Sequence, residues 1–313
     1  MTQNHRLLVG QLLLTALGCG LWVWFAHTPW IDSVALGLAL LTGGIPHGAN
    51  DLQLMRLNYP VLSYKTAFVV YISLFGLASG LMICWPLTGL LLFLMVTAYH
   101  FGQGDLYADT RLSRVAPAFT NLFYVLWGAL MLAALFGLRS AELTTYLPHT
   151  DTFGGFVQQL MRLPASVWPY AAGAALLLGA GVAWLGVNPR RAAGQWVLTT
   201  GLFVLFAHTR LLFAFSVYFG IWHSLNSVQL FSRSLYATSS KAFFSRFYAD
   251  ALPISSLAFV FLGGFYWLSQ HLYADYPLTF WLLIFIFGIS VPHVIVTEPT
   301  YRRGPVAHPH SPV

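Results

Sequence analysis

The sequence predicts an all-α protein, a polytopic bundle of transmembrane helices forming one integral-membrane domain over residues 1–313. Three observations carry that expectation. Of the 313 residues 58% are apolar and only 8% are Asp, Glu, Lys or Arg, against about 25% charged in an ordinary soluble domain. The apolar residues come in long runs broken by short turn-forming stretches, as membrane spans do. The basic residues fall mostly on one side of those runs, as the positive-inside rule requires.

Taken in order, the spans cover about 7–26, 31–54, 66–85, 87–105, 116–138, 169–187, 193–208, 211–231, 251–271 and 277–298. The first lacks a small-x-small cleavage site and is expected to be retained. "HTPWID", "WPLTG", "VNPRR" and "YADYP" supply turns between spans. The 139–168 connection contains "PASVWP" and is expected along the interface, and residues from about 299 to 313 are expected as an irregular tail. With both termini cytoplasmic, the inner side collects Arg6, Arg56, Lys65, Arg111, Arg114, Arg190, Arg191, Arg233, Lys241, Arg246, Arg302 and Arg303. The outer side keeps only Arg139, Arg162 and Arg210. So strong a bias supports ten spans; eight remain if two weaker segments pack as half-helices or lie on the surface. The expected place is the inner (plasma) membrane of a bacterial-type cell.

A pI near 9.4 would suit nucleic acid, but the basic residues are scattered singly and no block tracks phosphates. Cys19 and Cys84 lie in apolar runs and make no disulfide framework. No H-E-x-x-H, repeated H-x-x-x-H, G-x-S-x-G, P-loop or dinucleotide fingerprint stands out.

Seven of the eleven histidines sit at termini, turns or span ends. The other four are His47 in "GGIPHGAND", His100 in "TAYHFGQGDL", His223 in "YFGIWHSLNS" and His293 in "GISVPHVIVTE". They belong to spans two, four, eight and ten, all running from outside to inside. Each lies about 12–16 residues from the outer end, roughly 18–24 Å deep at 1.5 Å per residue. Ionisable groups at such depth face the bundle interior. Four imidazoles at one level predict a shared metal site, whose all-nitrogen ligands suit Fe, Zn, Cu or Ni rather than Mg or Ca. Asp51, one turn after His47, is expected to orient it, and Asp105 to do the same for His100. Glu298 reads as a span-end residue. Pro46 and Pro292 each free a carbonyl one turn earlier and widen the bundle there.

"GIPHGANDL", "YHFGQGDL", "YFGIWHSLNS" and "VPHVIV" together resemble the Brp/Blh family of membrane β-carotene 15,15'-dioxygenases. The resemblance runs from span two to span ten. It implies non-haem Fe(II) held by His47, His100, His223 and His293, with β-carotene and O₂ as substrates and cleavage of the central double bond to two all-trans-retinal. It also implies a bilayer setting and a functional link to a microbial rhodopsin. One position departs: some relatives carry H-S-x-x-H, and here the second histidine is Ser227. If that histidine is a required ligand, activity is in doubt; if His293 supplies the fourth nitrogen, Ser227 merely stands beside the metal. The matched depths favour His293. Tyr99, Phe101, Tyr218, Phe219 and Trp222 adjoin the ligand histidines and are the expected lining of a carotenoid tunnel. An oxygenase requires no general acid or base, so none is assigned. The competing readings are an oxygenase for another isoprenoid or lipid, and a membrane protein that binds haem or carotenoid without cleaving it.

Overall fold

The computed structural model describes residues 3–25, 30–106, 117–139, 189–236, 242–271 and 278–303, together with Thr28, Glu142, Tyr170 and residues 173–174. Among the described residues every regular element is helical. The helices are α1 (Gln3–Phe25), α2 (Trp30–Ala39), α3 (Ile45–Ala49), α4 (Asp51–Asn58), α5 (Tyr64–Cys84) and α6 (Pro86–Leu106). They continue as α7 (Pro117–Leu138), α8 (Pro189–His208), α9 (Leu211–Ser216), α10 (Leu225–Leu235), α11 (Ala242–His271) and α12 (Leu278–Arg303). Two π-helical segments, Leu40–Gly44 and Val217–Ser224, join α2 to α3 and α9 to α10.

Seven described helices are long and apolar enough to cross a membrane. Their outward residues are as greasy as their cores: Trp24, Leu77 and Val260 are 76%, 71% and 70% exposed, which water would not tolerate over so wide a surface. Every expected span has its helix except the sixth, of which only Tyr170 and residues 173–174 are among the described residues; most of the 139–168 connection lies outside them. Two expectations need correction. The second span is not one helix: it breaks at the π segment and again at Asn50, whose φ of −89° and ψ of 7° leave the helical region. The last span does not end at 298: α12 runs to Arg303, with Thr300 and Tyr301 buried.

Local chemistry sets the helix starts. Ser63 caps α5 by accepting the Thr66 N–H at 3.1 Å. Prolines open α6, α7 and α8, where the missing N–H has no intrahelical partner to lose.

Polar contacts fix helix direction. At one end Asp32, which begins span two, pairs with Arg210, which begins span eight, at 2.6 Å. At the other, Asn58 donates to the Val296 carbonyl at 2.9 Å and to Thr300 at 2.8 Å, tying the end of span two to the end of span ten. Spans two, eight and ten therefore run parallel. The first runs against them: Gln11 donates to Ile221 O at 2.8 Å, while Trp22 reaches Asp32 at 3.3 Å.

The two π segments pack on each other where neither backbone carries bulk. A Cβ on Gly43 would lie 2.7 Å from that of Ser224, and one on Gly220 would lie 2.7 Å from that of Ala39. Such small-residue crossings bring membrane helices together. This one brings the chains leading to His47 and His223 side by side. An apolar cluster around Trp127, Phe206 and Tyr218 fills the bundle between α6, α7, α8 and the second π segment. Another, around Leu54, Phe231, Phe247 and Val296, fills the opposite side.

Gly220→Leu should therefore lower the midpoint of thermal unfolding in detergent, at a cost of about 1–3 kcal/mol or more from overpacking. Gly263→Ala on α11, whose methyl meets only open space, should not lower it.

Candidate metal centre

His47 owes its place to the proline before it. Pro46 has no N–H, so the Thr42 carbonyl one turn earlier loses its helical donor; the Tyr248 hydroxyl takes that carbonyl instead, at 2.7 Å. The backbone widens here, with the Ile45 N–H bonding to Leu40 O, five residues back. π-bulges of this kind recur at functional sites. His47 then turns its Nδ1 to the Gly43 carbonyl at 3.0 Å. A carbonyl only accepts, so Nδ1 carries the proton and Nε2 keeps its lone pair.

His293 is set in the same sense by a different partner. Its Nδ1 lies 2.8 and 3.0 Å from the two oxygens of Asp51. Tyr71 donates to the same carboxylate at 2.9 Å. Asp51 is 1% exposed, and these donors occupy it. The Nε2 of His293 is buried without a hydrogen-bond partner.

His100 and His223 complete the group, from α6 and from the second π segment. Ring centres lie 4.8 Å apart for His47–His293, His100–His293 and His100–His223, 5.8 Å for His47–His223 and 6.4 Å for His47–His100. Gly104, one turn after His100, leaves the space that the His223 ring enters: a Cβ there would lie 2.9 Å from Nδ1. Neither nitrogen of His100 or His223 has a hydrogen-bond partner. A buried polar atom left unpaired costs about 1–3 kcal/mol, and here several are crowded into one space.

A metal ion fits this arrangement. One ligand atom from each of His47, His100 and His223 lies within 4.8 Å of the others, and all three residues are buried. Nitrogens sharing one ion at about 2.1 Å stand roughly 3–3.5 Å apart, so these atoms would draw closer around an ion. His293 lies against two of the three rings and offers its free Nε2. The donors are all imidazole, the set that suits Fe, Zn, Cu or Ni.

The structure reassigns the neighbouring groups. Asp51 does not orient His47, the histidine on its own helical path, but His293 from α12; the break at Asn50 turns it that way. Asp105 does not reach His100. It accepts from Trp127 at 3.1 Å and Tyr218 at 2.8 Å. Ser227 donates to the His223 carbonyl at 3.0 Å and shares a 2.8 Å hydrogen bond with Tyr301, so it lies beside the cluster with its hydroxyl engaged.

The aromatic candidates divide. Phe101 stacks on His223 at 4.2 Å, and Phe219 faces both His47 and His223 at 6.1 Å. Tyr218 lies one ring further out, against Phe101 at 5.3 Å. Tyr99 points away to Glu298 at 2.6 Å, and the Trp222 indole to Thr15 at 3.1 Å. Sequence reasoning missed Tyr71, Tyr301 and Phe231. Tyr301 lies beyond the expected end of span ten, and its ring is 6.0 Å from His100. Phe231 is 6.1 Å from His293. For Tyr71 the available signal was a phenol inside an apolar run, which must find a partner when buried.

Comparison with known proteins adds the chemistry. The family model described as "Beta-carotene 15,15'-dioxygenase" matches residues 38–300, a range that contains all four histidines. The curated "Probable beta-carotene 15,15'-dioxygenase Blh" of Halobacterium salinarum is 30% identical over 287 residues, covering 81% of this chain and 79% of that protein. No solved structure matches. The match spans nearly every helix that builds the four-histidine cluster, and on it the chain belongs to the β-carotene 15,15'-dioxygenase family.

Proposed function

We propose that this protein holds Fe(II) on His47, His100, His223 and His293 and cleaves the central double bond of β-carotene with O₂, giving two molecules of all-trans-retinal. The observation that carries this reading is the convergence of four buried imidazoles, three of them with unpartnered ring nitrogens, in a chain of a carotene-cleaving family. The balance is simple. One C=C and one O=O bond break and two C=O bonds form, so no outside electron or proton donor is required. That agrees with the surroundings, since the carboxylates nearest the cluster are engaged by Tyr71, Trp127, Tyr218 and His293. Bound iron would supply the one-electron chemistry that O₂ needs to react with a closed-shell polyene.

The chain's own residues hold and shield that chemistry. The Gly43 carbonyl and Asp51 fix the tautomers of His47 and His293, so both present Nε2. Phe101, Phe219 and Phe231 surround the imidazoles with apolar surface, which excludes water and receives a hydrocarbon. The bilayer is the solvent for the substrate; we place the protein in a bacterial-type plasma membrane, with its retinal supplied to a microbial rhodopsin.

Expression in β-carotene-producing cells should bleach the orange colour and yield retinal; unchanged carotenoid beside an iron-loaded protein would overturn the substrate. Alanine at His47, His100, His223 or His293 should each abolish iron retention and retinal formation. Full activity of His293→Ala would remove it from the ligand set. Chelation should abolish activity, and Fe(II) but not Zn(II) should restore it.

Asp51→Asn should weaken iron binding by about 10–100-fold, as loss of a carboxylate behind a ligand histidine does. Tyr71→Phe, which removes one of the donors to that carboxylate, should have the smaller effect. Metal titration of the purified variants checks both, and equal effects would contradict the order.

A further inference from the structure

A carotenoid dissolved in the bilayer must pass through the helix wall to reach the histidines, and the rings around them differ in one respect. Among the described residues, Phe101, Tyr301 and Phe231 are 6%, 6% and 0% exposed, whereas Phe219 is only partly buried. Phe219 is thus the ring that touches both the outside and the cluster, facing His47 and His223 at 6.1 Å. Phe215, also partly buried, stacks on its outer side at 5.2 Å with the planes 11° apart. Leu41, on the neighbouring π segment, is 52% exposed.

The wall is thinned at this point by Gly44. A Cβ there would run into the Phe219 ring, with Cζ at 2.8 Å. The ring therefore lies over bare backbone, between two π segments whose hydrogen bonding already departs from the α-helical register. Phe215, Phe219, His223 and Phe101 form a near-parallel series, with His223 tilted 14° from each of its phenylalanine neighbours. Such a series gives a flat, extended polyene a continuous aromatic path from the outside to the cluster.

We infer that Phe219 is the door between bilayer and metal centre: the polyene enters between the two π segments by displacing this ring across Gly44. The inference rests on the proposed carotenoid substrate. It makes Phe219 a specificity residue for extended polyenes such as β-carotene.

The test uses the full-length protein in lipid vesicles. Cys19 and Cys84, half-buried and exposed, are replaced by serine, and Phe219→Cys is spin-labelled in detergent before reconstitution. Dissolved O₂ should relax this label, and β-carotene in the vesicle should reduce that relaxation by about half or more as the site fills. A label at Val260, 70% exposed on α11, should relax equally with and without carotene. No response at 219, or the same response at both positions, overturns the door. A second measurement does not depend on the label. Phe219→Trp, a larger ring over the same glycine, should retain iron and raise the KM for β-carotene by about tenfold with kcat little changed, the pattern of impaired entry rather than impaired chemistry. An unchanged KM, or a fall in kcat alone, overturns it. A carotene response at 219 without retinal formation would instead sink the cleavage reaction and leave the door standing.

Discussion

Everything in this bundle is arranged around the cost of placing four imidazoles in a membrane interior. Neither His100 nor His223 has a hydrogen-bond partner on either ring nitrogen, and His293 lacks one on Nε2. Burying unpaired polar atoms is unfavourable unless something satisfies them, and a shared metal ion would do so for all at once. The helices that bring the rings together also bury Asn50, Asp51, Gln103, Ser224, Ser227 and Thr297 near that level. An ion held there would couple metal binding to helix packing.

The surroundings hold those nitrogens available rather than quenching them. The nearby carboxylates, and Ser227, either fix a tautomer or are occupied elsewhere. The Gly43 carbonyl and Asp51 take the Nδ1 sides of His47 and His293. Asp105 is held by Trp127 and Tyr218, and Ser227 by Tyr301 and the His223 carbonyl. The carbonyl that Pro46 leaves without a donor is taken by Tyr248. These arrangements leave nitrogens of His100, His223 and His293 unengaged.

The two π segments have a double effect. Widening the helix by one residue shifts the face on which later side chains emerge, which aims His47 and His223 inward. It also lets the two backbones cross at Gly43 and Gly220. Rigid anchors lie at either end of these paths, the Asp32–Arg210 pair and the Asn58 bonds to α12, so the irregular backbone is confined between two fixed levels.

Composition and charge asymmetry were enough for the membrane bundle, because a chain with 8% charged residues has no other way to hide its surface. Counting residues from the span ends was enough to put His47, His100, His223 and His293 at one depth, because helical rise is fixed. Direction around each helix was not legible in the same way. It depends on breaks at Leu40–Gly44, Asn50 and Val217–Ser224, which shift the angular register by amounts no periodicity contains. Hence Asp51 serves His293 across the bundle rather than His47 beside it. On the unbroken α6, Asp105 follows His100 by five residues, off its face, and belongs to Trp127 and Tyr218. Tyr99 and Trp222, each next in sequence to a site histidine, point elsewhere. Tyr301 and Tyr71 enter the centre's surroundings from distant helices. Sequence determined which residues share a level; only the tertiary structure decided which of them meet.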